Sequence, residues 1–206
     1  MRKHRRNLVV LVAASAVVAM LLSSCAFASN ALDSMNRNWK GVNATMYTYA
    51  FDGSPMDTVH GKSFKVSNDS EFDSNCGENC VKKGSVLTLS IGKSHIEHVG
   101  SSLILAQDGL EPVAGGDTKI DITNSESGRP WLNDLMYRCQ NLNKGKAKTI
   151  IIKSQSSIPL AVYTGDEVEL YNPGIDNATQ FRIDGKYLFV YRVEYTVYDT
   201  DLLTGS

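Results

Sequence analysis

The sequence predicts a mainly β fold after an N-terminal signal peptide: a curved antiparallel sheet or small barrel with one covering helix, an α+β arrangement being the variant. Three observations predict it. Apolar residues recur with a period of two through most of the chain beyond residue 43. Asp52-Gly53 and Asp184-Gly185 each separate two such segments, and Asp-Gly suits a tight hairpin because Gly takes positive φ at no steric cost. A single later segment, "RPWLNDLMYRCQNL", has a helical period, with Trp131, Leu132, Leu135, Met136, Cys139 and Leu142 on one face and Pro130 suited to the first turn. Many short strands and one helix lead to a sheet curled against that helix.

The chain opens with "MRKHRRN", a compact cationic cluster of Arg2, Lys3, Arg5 and Arg6. Leu8–Leu22 follows, fifteen residues with only Ser15 polar. A helix of that length spans roughly 22 Å, short against a bilayer core of about 30 Å. A cationic start, a short apolar middle and small residues at the end predict a secretory signal peptide over 1–24. Leu22-Ser23-Ser24-Cys25 resembles the bacterial lipobox. That resemblance implies a diacylglycerol on the Cys25 thiol, cleavage before Cys25, and display on the extracytoplasmic face of the membrane. The alternative is an ordinary secreted protein cleaved after "AFA", with Cys25 incidental.

Residues 25–38 are small and polar without a sustained period, so they are expected to form a tether, with a single β-rich domain over 39–206. The 182 residues from Cys25 onward suffice for one domain and are few for two. Four of the 21 Lys+Arg and none of the 22 Asp+Glu precede Cys25, which leaves 17 against 22 and a net charge of −5. The densest basic runs are "VKKG" and "NKGKAKT", too sparse for a nucleic-acid patch.

In order along the domain, "ATMYTYAFDG" and "PMDTVHGKSFKV" read as a hairpin, and "SVLTLSIG" as a strand with Leu87, Leu89 and Ile91 on one face. "SSLILAQDG" reads as a short apolar strand, and "TKIDI" as another strand. "KTIIIKSQ" and "PLAVYTGD" form a pair, then "VELYN" follows. "FRI" and "KYLFVYRVEYTVYD" meet at Asp184-Gly185. The last run puts Tyr187, Phe189, Tyr191, Val193, Tyr195 and Val197 on one face, expected to be core. A strand that long bends or serves two sheets.

The blocks "NWKGVNATMYTYAFDG", "HVGSSLILAQDGL", "GKAKTIIIKSQ" and "RIDGKYLFVYRVEYTVYD" resemble a family of small Gram-positive lipoproteins catalogued as a domain of unknown function, over nearly all of residues 36–203. The resemblance implies a lipid anchor and a single domain. It carries over no catalytic or binding residue. The insertion "CGENC" departs from the family pattern and belongs to this chain alone.

"DSNCGENC" is expected to be a surface loop in which Cys76 and Cys80 form a local disulfide; two free thiols, zinc binding and redox chemistry are the alternatives. Cys139 is expected as a buried thiol. His95 and His98, three apart on a strand, point to opposite faces, and with His60 they converge on a metal only if the chain bends between them; no metal site is expected. "IGKSH" lacks the glycine a phosphate loop needs, since that position is Leu87. "VGSSL" offers serines near His98 without an orienting carboxylate. Asp166, Glu167 and Glu169 cluster after a glycine, as solvated charges. Tyr198 and Arg192, on the opposite face of the last strand from its core row, are the candidates for surface contact.

The functional expectation is a lipid-anchored, non-enzymatic binding or accessory module for an envelope protein, peptide or glycan, with no nucleic acid and no cofactor beyond the diacylglycerol at Cys25. An enzyme acting on cell-wall or carbohydrate material, and a structural envelope component without a ligand, are the alternatives.

Overall fold

A computed structural model describes residues 31–77, 80–82, 84–116 and 146–204. The alternating segments emerge as antiparallel strands. β1 (Asn43–Tyr49) turns into β2 (Pro55–Lys62) through Gly53 at φ +76°, with the Ala50 N–H donating to the Ser54 carbonyl at 2.8 Å. The expected single return strand breaks at Ser63, φ +59°, whose N–H donates to the Val42 carbonyl. β3 (Phe64–Asn68) therefore leaves for another sheet, where it pairs with β6 (Leu87–Ile91), and β6 with β7 (Ser94–His98).

Between them, β4 (Ser74–Gly77) and β5 (Cys80–Lys82) pair as a small hairpin, with Gly77 opposite Cys80, where the sequence suggested a surface loop. The side chains of Cys76 and Cys80, on which the disulfide expectation rests, lie outside the described part of the structure. So do Cys25, Cys139, the "TKIDI" strand and the helix expected over 130–142.

β8 (Ser102–Gln107), β9 (Ala114–Gly115), β10 (Lys148–Lys153), β11 (Pro159–Gly165), β12 (Val168–Tyr171), β13 (Ala178–Ile183), β14 (Lys186–Tyr191) and β15 (Glu194–Asp199) complete the strands. α1 spans residues 31–38, and a last turn, α2 (Asp201–Thr204), follows β15.

Three layers result. A six-stranded sheet of order β12-β13-β14-β8-β1-β2 lies in the middle. Met46, Leu103, Leu105 and Phe189 on one face pack against α1 and the β3-β6-β7 sheet. Ile104, Phe181, Leu188 and Val190 on the other pack against a second sheet of order β15-β10-β11-β9. Among the described residues the sheets stay open and do not close as a barrel. β8 and β14 are buried on both faces, which is why "SLILA" and "LFVY" are continuous apolar runs rather than alternating ones.

The last strand is two strands. Arg192 adopts φ +52° between β14 and β15 and moves the chain from the middle sheet to the outer one. The row read as one core face is thereby split. Tyr187, Phe189 and Tyr191 serve the α1 side, while Val193, Tyr195 and Val197 serve the layer beyond.

Residues 31–38, expected as tether, are helical. Leu32, Met35 and Trp39 fall on one side, Met35 and Trp39 are buried, and the Trp39 indole N–H donates to Gln180 Oε1 at 3.3 Å. The Asn36 carboxamide bonds the Val66 carbonyl and N–H at 2.9 and 2.8 Å, fixing the helix to β3. The covering helix of the described structure thus precedes the first strand.

The Asp184-Gly185 turn is as expected, with both residues at positive φ (+46° and +83°), the conformation that continues strand twist through a two-residue hairpin. Its carboxylate does a second job. Asp184 Oδ1 accepts the N–H groups of Asp166 and Glu167 at 2.8 and 2.9 Å, and Oδ2 accepts Lys146 Nζ at 2.7 Å. Partial burial pulls the Asp184 carboxyl up, but the Glu167 N–H, the Lys146 ammonium and the Asp166 N–H outweigh it and leave it below its ordinary value. Asp166 and Asp184 push Lys146 from 10.5 up to about 12.

A depressed folded carboxyl stabilises above the unfolded range near pH ~4, and that stabilisation is lost as pH falls through the folded value. The raised Lys146 contributes fully below its unfolded value and fades as pH rises through about 12. Asp184→Asn is therefore expected to lower the thermal midpoint at neutral pH, with the gap to wild type closing on acidification. A gap that stays constant in melts across the acid range would refute it.

Candidate functional site

The hinge at Arg192 opens a groove of about 440 Å³, lined by Gln155, Asn177, Thr179, Arg192, Glu194 and Tyr195 among others. The Arg192 N–H donates to the Asn177 carbonyl at 2.8 Å, and the Ser102 hydroxyl donates to the Arg192 carbonyl at 2.8 Å. Asn177 is itself left-handed, φ +58°. Two non-glycine residues in that region thus meet at one point. Asn tolerates it, whereas for a long side chain such as Arg it costs on the order of 1–2 kcal/mol.

Arg192 Nη2 donates to Gln155 Oε1 at 3.2 Å, and Gln155 Nε2 donates to the Gly100 carbonyl at 3.0 Å. Arg192 Nε is buried without a hydrogen-bond partner. The Tyr163 hydroxyl shares that condition, but it lies in the core, where burial drives its pKa well up; Arg192 is a residue that lines a groove. Thr179 Oγ1 donates to the Tyr195 hydroxyl at 3.2 Å, and the Ser157 hydroxyl donates to Glu194 Oε2 at 2.7 Å.

Beyond Thr179 and Tyr195 the depression continues into a second of about 520 Å³ beside Tyr171, Asn172 and Asp176. A third, of about 510 Å³, runs between α1 and Leu170, Pro173, Arg182 and Tyr187. Tyr171, 43% exposed, donates its hydroxyl to Glu169 Oε2 at 2.6 Å, and Arg182 Nη1 donates to the same oxygen at 3.3 Å. The Tyr171 hydroxyl first, and Arg182 after it, hold the Glu169 carboxyl below its ordinary value, so it stays ionised. A general acid needs the opposite shift.

The residues singled out in the sequence go to separate places. Arg192 lines the groove. Tyr198 packs against Ile151 and Val162 on the outer face of the β15-β10-β11-β9 sheet, so the two do not share a surface. His60 Nε2 meets Asp108 Oδ2 at 3.0 Å. His98 is buried, with Nε2 at 2.9 Å from the Ser101 carbonyl and its ring edge-on to Tyr191, while His95 is exposed. Among the described residues no three His, Cys, Asp or Glu side chains come together as a metal-holding group. Ser102, near His98 in sequence, gives its hydroxyl to the Arg192 carbonyl. Asp166 joins the Lys146 clasp at 2.6 Å.

Gln155 and Thr179 carry no sequence signal, and Asn177 almost none. They come from three loops and strand ends that only the sheet order brings together. Asn177 alone, a residue tolerant of positive φ, left a faint one.

The fold and groove define a class: a three-layered, open-sheet β protein with a polar cleft where one strand crosses between layers. The chain belongs to the family described as Domain of unknown function (DUF5052), matched over residues 6–203. Neither the curated proteins nor the solved structures contain a match.

Proposed function

We propose that the protein is a lipid-anchored lipoprotein of a Gram-positive cell envelope, a non-enzymatic binding or accessory module whose ligand, an envelope protein, peptide or glycan, occupies the groove at Arg192. The lipobox residues Leu22–Cys25 support the anchor. The observation that carries the binding reading is the groove itself. It combines neutral donors and acceptors (Gln155, Asn177, Thr179) with an arginine whose buried Nε lacks a partner. Clefts with a few convergent polar groups are the usual form of ligand sites.

Native mass spectrometry of the protein purified gently from its own host tests the reading. The expected spectrum shows diacylglycerol mass on the Cys25 end and a further non-covalent species. A two-dalton deficit would report the Cys76–Cys80 disulfide. Absence of the lipid would sink the anchor, and turnover of the bound species would sink the non-enzymatic assignment.

A further inference from the structure

We propose that the Arg192 groove receives the terminal carboxylate of a short extended peptide; this rests on the binding reading and names its ligand class. The first support is the backbone. A strand hand-over at φ +52° is what glycine does without strain, yet this position carries arginine. Strain retained at a cleft points to a use for the side chain.

The second support is the guanidinium. Arginine grips a carboxylate through two parallel N–H groups, and Nε with Nη2 is one such pair. Here Nη2 holds only the Gln155 carboxamide oxygen at 3.2 Å, and Nε holds nothing. Gln155 is exposed on a turn, so its carboxamide can swing out. A carboxylate arriving in its place accepts both N–H groups and satisfies the donor that the free protein leaves unpaired.

The third support decides between peptide and sugar acid. Among the described residues β15 has β10 as its one strand neighbour, the edge position at which an extended peptide adds as a further strand. A sugar acid would share the Arg192 fork but brings no backbone N–H and C=O groups to pair with that strand edge.

Calorimetry on the full mature protein tests this with three probes: N-acetyl-Ala-Ala as the free acid, the same peptide as its C-terminal amide, and glucuronate. The acid is expected to bind at least tenfold tighter than the amide. Arg192→Lys, which keeps the charge and loses the fork, is expected to erase that preference. Arg192→Gly is expected to abolish binding of the acid without lowering the thermal midpoint, because the left-handed strain is relieved.

Equal binding of acid and amide, no binding of either, or an acid preference surviving Arg192→Lys overturns the proposal. Arg192-dependent binding of glucuronate without the peptide overturns the peptide assignment. If native mass spectrometry instead finds a ligand whose affinity survives Arg192→Lys, this inference falls and the broader binding reading stands.

Discussion

Phe189→Ala is expected to lower stability by about 3–5 kcal/mol, the range for truncating a buried phenylalanine. Phe189 is fully buried in β14, between Leu105 of β8 and Gln180 of β13, and faces the α1 side of the middle sheet. The sheet cannot collapse to fill the void, because both of its faces are packed. For a domain of this size the loss corresponds to a fall of roughly 6–20 °C in thermal midpoint. Phe51, 76% exposed in the β1–β2 turn, is the control, and Phe51→Ala is expected to change stability by under about 0.5 kcal/mol. Similar midpoints for the two variants would mean that β14 is not at the centre of the molecule.

Cys25→Ala is the other change expected to have a large effect, moving the protein from the membrane to the soluble fraction. One acyl chain holds a protein only marginally and reversibly, while two hold it stably, so on the lipoprotein reading losing the Cys25 thiol removes the whole anchor. The helix at residues 31–38 sharpens the expectation. Six peptide steps separate Cys25 from residue 31, a reach of at most about 22 Å at 3.3–3.6 Å per residue. On the lipoprotein reading the domain stands close to the lipid surface. Retention of Cys25→Ala at wild-type level through a detergent-free wash would refute the anchor.

The strands were legible where local chemistry and tertiary structure agree. Asp52-Gly53 and Asp184-Gly185 announce their turns because they supply the positive φ that such turns require. "KTIIIKSQ" and "PLAVYTGD" pair as expected because each has an apolar centre and a polar connection. α1 was missed because Leu32, Met35 and Trp39 give only one short apolar stripe amid small polar residues. What fixes it is the distant partners Val66 and Gln180. The hinge at Arg192 was missed for the opposite reason. Alternation runs unbroken from Tyr187 to Val197, and an arginine gives no warning of a left-handed backbone. The groove followed it into obscurity, since its walls come from the 155, 177 and 192 regions and meet only through sheet order.

β8 lies between β1 and β14, and its register on one side sets Leu188 opposite Ala106. This apolar strand, buried on both faces, therefore waits for a neighbour some eighty residues further along the chain. During synthesis "SLILA" emerges long before "KYLFVY" can cover it, and until then it presents a β-prone edge to any other chain. Such distant pairing slows folding, because loop closure must precede the contacts that reward it. Until β14 arrives, one edge of β8 is thus open to pairing with a second copy of the chain.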